Sequence, residues 1–516
     1  MLNVSNWSYV SFFIYLGAML GIGIYFYFYT KTMHDFVLGG RRLGAWVTAM
    51  SAFASDMSGW LLMGLPGLAY ATGLMEPFWC MLGLVIGSFI NWMLVARRLR
   101  RYTENIGDSL TLSDYFEKRF LDHSKLLRTI SSFFIIFYFT IYTSAQFVAG
   151  AKLFESVLGL NYQIGLLVMV GTITTYIFLG GFLAVCWTDF FQGLLMLVAL
   201  IIVPLVAIHG LFTIDATSAV SIGATGVTGA IGATGTIASN MLSIFSDSKG
   251  TPITLLLILS SMAWGLGYMG QPHILVRFMG IESSNKLMKA ATIATTWTVI
   301  SMLMAIVVGL VGIPFVKAFG AYPGFESERI FILLISKTMH PLIGGFMLAA
   351  ILAAAQSTAS SQLLVASSSL VEDFFRLFFK GLKNKDNKDK SLVWINRFAL
   401  IFIMLISAII SNNPQSSVLK IVSYAWGGLG ASLGPMILFS LYWKRMTRNG
   451  ALVGMIVGGV TIFIWKNMLA PLGGFFTIYE LLPAFILSSL AIVIVSLLDE
   501  KPSPEIENNF VSGMKD

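Results

Sequence analysis

An aspartate, Asp56, stands inside an apolar run, in the stretch Ser51 to Gly67, SAFASDMSGWLLMGLPG. A charge at bilayer depth costs from ~2.5 to more than ~10 kcal/mol, so a carboxylate there needs a cation or irregular, hydrogen-bonding backbone beside it. The flanking serines and glycines supply such surroundings, and capping the freed N–H groups of a broken helix is the competing role for the acid. A second stretch, SSMAWGLGYMGQPHI (Ser260 to Ile274), concentrates Gly265, Gly267, Gly270 and Pro272. Helix breakers inside a membrane are tolerated where the freed backbone lines a cavity or is buried in protein, and glycines also serve close helix packing. A third, ILAAAQSTASSQLL (Ile351 to Leu364), sets Ala354, Ser357 and Thr358 at i, i+3 and i+4, on one helical face. Two hydroxyls plus carbonyls from a broken helix can cage a hard alkali cation; alternatively, the hydroxyls bond back to their own helix. Trp264 and Tyr268, also four residues apart, can form an aromatic wall.

These residues need membrane helices to position them. Of the 516 residues, 56% are hydrophobic and 11% charged, and mean hydropathy is +0.80, the composition of a polytopic membrane protein. Apolar windows of about 20 residues predict an all-α chain with thirteen spans. They cover 7–30, 43–70, 76–97, 126–153, 162–180, 188–210, 253–277, 291–317, 341–371, 392–411, 417–442, 450–468 and 476–498. The first lacks a basic segment before it and reads as a retained helix rather than a cleaved signal. With the N-terminus outside and the C-terminus cytoplasmic, 26 of the 33 Lys and Arg fall on the cytoplasmic side, in agreement with the positive-inside rule. The net charge of +8 sits in short clusters between spans rather than on one stripe, which argues against nucleic acid.

The two interrupted segments lie five spans apart, as expected if spans two to six and seven to eleven are inverted five-helix repeats, and such paired breaks point to a transporter's binding site. The implied organisation is an N-terminal extra helix and loop (1–42), a first repeat (43–210), an extracytoplasmic loop (211–252), a second repeat (253–442), two extra helices (443–498) and a cytoplasmic tail (499–516). GATGVTGAIGATG (Gly223 to Gly235) reads as a low-complexity loop, and GLKNKDNKDKS (Gly381 to Ser391) as a solvated cytoplasmic connector. Cys80 and Cys186 have no metal or disulfide spacing, and no HExxH, phosphate-binding loop or histidine cluster suggests an enzyme.

Several motifs carry a resemblance: LGGRRLG, SAFASDMSGWLLMGLPG, FTIYTSAQFVAGAKLFES, GGFLAVCWTDFFQG, WGLGYMGQPHILVRFM, ILAAAQSTASSQLLVASSSLVEDF and SYAWGGLGASLGP. Together they resemble the bacterial sodium/solute symporter family, in its proline-transporting branch, from about residue 35 to 498. The resemblance implies a LeuT-type inverted-repeat fold in the bacterial cytoplasmic membrane and sodium-coupled uptake of L-proline, with pantothenate or a sugar as the alternative solute. It implies a sodium site of the Ala54, Met57 and Ala354 carbonyls and the Ser357 and Thr358 hydroxyls, supported by Asp56 and Asp189. Ser58, Gly59, Tyr142, Trp264, Tyr268 and Pro272 would bind substrate, with the carboxylate on N–H groups of the second half-helix. Arg41 would act at the inner gate; no protein partner is implied. Two residues depart from the family pattern: Gln356 stands where an apolar residue is usual, and Gln146 where glycine is usual.

Overall fold

The computed structural model describes residues 6–222, 239–322, 325–375 and 388–515. Among these the chain is helical, with two isolated bridges, Leu43 to Ile281 and Ser246 to Pro252. Among the described residues ten helices are long and apolar enough to cross a membrane, and they fall on predicted spans one, three, four, six and eight to thirteen. Spans two, five and seven fall on shorter apolar helices, Ala45–Ala54, Tyr162–Thr175 and Leu255–Gly270. Two of those three are short because they are broken where the sequence predicts.

Span two is helical over Ala45–Ala54, unwinds, and resumes as a π-turn over Trp60–Gly64 that leads into the helix Leu65–Thr72. Pro66 explains the wide turn: it has no N–H and its ring crowds the carbonyl four residues back, so the chain enters the second half in a looser register. Gly59 permits the approach of span four, since a Cβ there would stand 2.7 Å from the Ala149 Cβ. Span seven runs from Leu255–Met262 through a 3-10 stretch, Ala263–Gly270, and an extended Gln271 into the helix Pro272–Gly280. Gly267 admits the Trp426 indole, whose Nε1 would lie 1.9 Å from an added Cβ. The glycines of this cluster therefore serve close packing as well as the break.

Burial separates core from periphery. Val47 to Gly67, Gln271 to Ile281 and Met347 to Leu364 are buried at every position, as no lipid-facing helix would be. Leu481–Leu498, by contrast, exposes Ile486, Leu490, Ile494 and Leu497 along one side. The helix Pro341–Ser368 packs on Leu126–Leu158, on the Tyr162–Ile222 run and on the first helix, Asn6–Tyr27.

Several sequence expectations are revised. Tyr162–Ile222 leaves helical geometry at Gly181 (φ 64°), separating spans five and six, and then stays helical twelve residues beyond the predicted end at 210. The glycine repeat at 223–235 and most of the 381–391 connector lie outside the described residues. The tail is not merely an extension: Pro504–Gly513 is a helix capped by Ser503, with Glu507 2.7 Å from Lys444 and Phe510 stacked 4.7 Å from the Arg119 guanidinium. Arg277, counted with the cytoplasmic basic residues, is fully buried.

Candidate functional site

At the span-two break the short polar side chains compete with the helix for backbone groups. Met57 N–H donates to Phe53 O (2.7 Å), Ser58 N–H to Asp56 O (2.8 Å) and Leu61 N–H to Ser58 O (3.0 Å). The Ala54 carbonyl is turned toward span nine and accepts from the Ser357 hydroxyl at 2.7 Å, while the same hydroxyl lies 3.1 Å from Ala354 O. One helical position on, the Thr358 hydroxyl is buried with no hydrogen-bond partner among the described residues. Four of the oxygens expected around an alkali cation thus come from one junction, and one of them is an orphan of the kind a hard cation satisfies. Met57 is buried in the same break.

Asp56 is buried and accepts a 2.6 Å hydrogen bond from the Tyr268 hydroxyl, so the acid of one broken helix is tied to the other. Asp189 belongs to a different cluster. Its Oδ2 accepts from Ser51 Oγ (2.7 Å), Arg277 Nη2 (3.1 Å) and Ser361 Oγ (3.3 Å), and Arg277 also donates to Ser51 (3.0 Å), to His273 O (2.6 Å) and to Ser361. This buried ion pair joins spans two, six, seven and nine, one helical turn from Ser357 on span nine. Sequence reasoning missed Arg277 because it treated the residue as a topology marker. Its only signal was an acid in span six with no base nearby in sequence.

Trp264 and Tyr268 do not make one wall. In a 3-10 stretch residues four apart point about 120° apart, whereas in an α-helix they share a face. Trp264 stacks on Tyr479 (5.1 Å) and Trp60 (6.0 Å), and Tyr268 packs on Phe53 (6.2 Å) and Trp426 (5.1 Å). Tyr142 is buried with its ring 6.3 Å from His273 and its hydroxyl toward Ser58 of the span-two break. Pro272 lines a narrow cavity of about 20 Å³ together with Val276, Ile135, Leu364 and Ser368. Of the two departures, Gln356 accepts from Tyr15 Oη (2.7 Å) and donates to Thr172 Oγ1 (3.1 Å), which turns it toward spans one and five and off the ligand face. Gln146 Oε1 accepts the Gly59 N–H at 3.0 Å.

Arg41 sits in a left-handed conformation (φ 53°), costly for a residue with a side chain. Its guanidinium donates to Met279 O (2.6 Å), Thr103 O (3.2 Å), Ser109 O (3.2 Å) and Asp108 Oδ1 (2.8 Å), joining the approach to span two to the ends of spans seven and three. Burial pulls its pKa below the usual arginine value, although the bond to Asp108 opposes the shift. GASLG (Gly430 to Gly434) has the G-x-S-x-G spacing of a hydrolase, but Ser432 lies mid-helix and donates to Gly428 O at 2.6 Å, with no strand-to-helix elbow.

Two interrupted helices meeting a buried, hydroxyl-bearing third define a helical membrane transporter of the LeuT-type inverted-repeat fold. A Na+-coupled sialic acid symporter in a substrate-bound outward-open state shares that fold, with a TM-score of 0.76 over 97% of this chain and 99% of its own at 19% identity. Mhp1, a nucleobase-cation-symport-1 family transporter, aligns with a TM-score of 0.55 over 92% of this chain and 98% of its own at 12% identity. The sequence model of the sodium:solute symporter family matches residues 36–458, and the chain belongs to that family. As such it is a transporter rather than an enzyme. Curated relatives include the sodium/proline symporter of Haemophilus influenzae, 44% identical over 98% of both chains. The osmoregulated proline transporter OpuE of Bacillus subtilis is 44% identical over 96% of this chain and 95% of its own. The Escherichia coli sodium/proline symporter is 42% identical over 98% and 95% respectively.

Proposed function

We propose that this protein takes up L-proline with sodium by alternating access in the bacterial cytoplasmic membrane, with its N-terminus outside and its C-terminus in the cytoplasm. The observation that carries the reading is the junction of Ala54, Ala354, Ser357 and Thr358, an oxygen set for a hard cation, in a chain similar over nearly its full length to proline symporters. Sodium held between the two elements would order the span-two break, and coupling is then a difference in affinity between states. Moving one sodium with a net-neutral amino acid moves one charge. At ~2.3 kcal/mol per 100 mV against ~1.4 kcal/mol per tenfold, voltage alone supports roughly a 40- to 50-fold proline gradient per 100 mV. Purified protein in proteoliposomes is expected to accumulate L-proline under an inward sodium gradient, faster with a negative interior. Accumulation of pantothenate or a sugar instead would overturn the substrate assignment.

The two ends of the molecule carry opposing ion-pair sets suited to such a cycle. At one, Lys152 lies 2.9 Å from Glu326 and 3.3 Å from Glu328, while Glu328 accepts from Ser417 (2.8 Å). At the other, Arg41 holds the span-seven end at Met279. Arg41 closes the inner gate of the outward-facing form in this reading. Arg41→Ala, in a background lacking Cys80 and Cys186, is expected to raise thiol labelling of single cysteines in the inner vestibule and lower it in the outer. Identical labelling in both backgrounds would leave Arg41 a topology residue.

A further inference from the structure

Accounting for backbone donors at the span-two break leaves none for a substrate carboxylate. Met57 N–H goes to Phe53 O, Ser58 N–H to Asp56 O, Gly59 N–H to Gln146 Oε1, and Trp60 N–H to Ser58 Oγ (3.3 Å). A buried donor without a partner among the described residues stands opposite, on span four, the Gln146 Nε2, and one turn earlier the Tyr142 hydroxyl reaches Ser58 of the break. Ile135, Tyr142 and Gln146, spaced 7 and 4, share one helical face. That face begins at the cavity that Ile135 lines together with Pro272, and it ends on the Gly59 N–H. An amide NH2 only donates, so leaving it buried and unpaired costs about as much as a lost hydrogen bond, and an acceptor-only carboxylate is the group that relieves it.

Resting on the reading of this chain as an amino-acid symporter, we propose that Gln146 is a substrate-binding, specificity-determining residue. Its Oε1 locks the Gly59 N–H at the break, and its Nε2, with the Tyr142 hydroxyl, holds the carboxylate of the transported amino acid. The half-helix N–H groups of Ser58 and Gly59 shape the site without binding the anion.

The test is sodium-driven uptake in proteoliposomes of the full chain, with prolinamide, whose carboxylate is a neutral amide, as competitor. Gln146→Glu keeps an acceptor for Gly59 N–H but replaces the donor with a charge that repels the substrate, so its KM for L-proline should rise at least about tenfold. Gln146→Leu should also raise KM and should lose the wild-type preference for L-proline over prolinamide. The sodium concentration for half-maximal uptake should stay within about twofold of wild type in both, which separates a substrate contact from general damage. Wild type that transports proline while both variants keep its KM, or a Gln146→Gly variant with lower KM, would overturn this inference alone. Wild type that accumulates only an uncharged solute would overturn it together with the proline assignment.

Discussion

Replacing Asp189 with Asn is expected to cost the protein a large part of its stability, and Arg277→Gln should do the same. Each partner is fully buried, 3.1 Å from the other, and removing one charge leaves the second uncompensated in a low-dielectric interior. Such losses are about 3–5 kcal/mol, against a total stability on the order of 5–15 kcal/mol. The remaining partners of Arg277, the Ser51 and Ser361 hydroxyls and the His273 carbonyl, satisfy its N–H groups but not its charge. Folded yield after size exclusion in detergent, with the thermal midpoint, is the measurement. Combining Asp189→Asn with Arg277→Met removes both charges and should recover a large part of the loss, because the pair is dispensable as a unit in a way its members are not. The sequence reading gave Asp189 a sodium-supporting role, and the same experiment separates the two. If Asp189→Asn folds with a wild-type midpoint and only needs more sodium, the carboxylate serves the cation and the ion pair is incidental.

What the sequence made legible follows from what is local in it. Apolar length predicts a span because the bilayer has one thickness, and paired Gly and Pro clusters predict breaks because their backbone effects act within a turn. The Ala354, Ser357 and Thr358 face is likewise a property of one helix. Contacts between distant segments were not legible. The Gly59 to Gln146 bond spans 87 residues and the Arg277 to Asp189 pair 88, and no spacing rule connects them. The Trp264 and Tyr268 wall failed for another reason: the glycine cluster that marked the break also tightened the backbone to 3-10, changing the angle per residue on which the argument relied. The tail helix escaped because ten residues are too few to fold alone, and its docking depends on Gly513 letting the chain lie against Tyr102. Departures from a family pattern proved more informative than matches. Gln356 turned away to Tyr15 and Thr172, whereas Gln146 turned into the break.

The second large effect is expected at the cation junction. Ser357→Ala together with Thr358→Ala removes both hydroxyl oxygens and leaves the Ala54 and Ala354 carbonyls facing each other without the proton that Ser357 now places between them. Each hydroxyl contact to a charged group is worth about 1.5–3 kcal/mol, so the sodium concentration for half-maximal uptake should rise at least about 100-fold, and the proline KM at fixed low sodium should rise with it through linkage. Stability in the absence of sodium should change little for Thr358→Ala alone, since its hydroxyl has no partner among the described residues to lose. That asymmetry is the decisive readout: a residue whose deletion costs nothing without sodium and a great deal with it binds sodium. Asp56→Asn provides the contrast. It exchanges a charged acceptor of the Tyr268 hydroxyl for a neutral one, weakening the tie between the two broken helices whether or not sodium is present. Its loss should therefore appear both in the sodium-free thermal midpoint and in sodium affinity. An Asp56→Asn protein with an unchanged sodium-free midpoint but a raised sodium requirement would instead place the carboxylate's role at the cation.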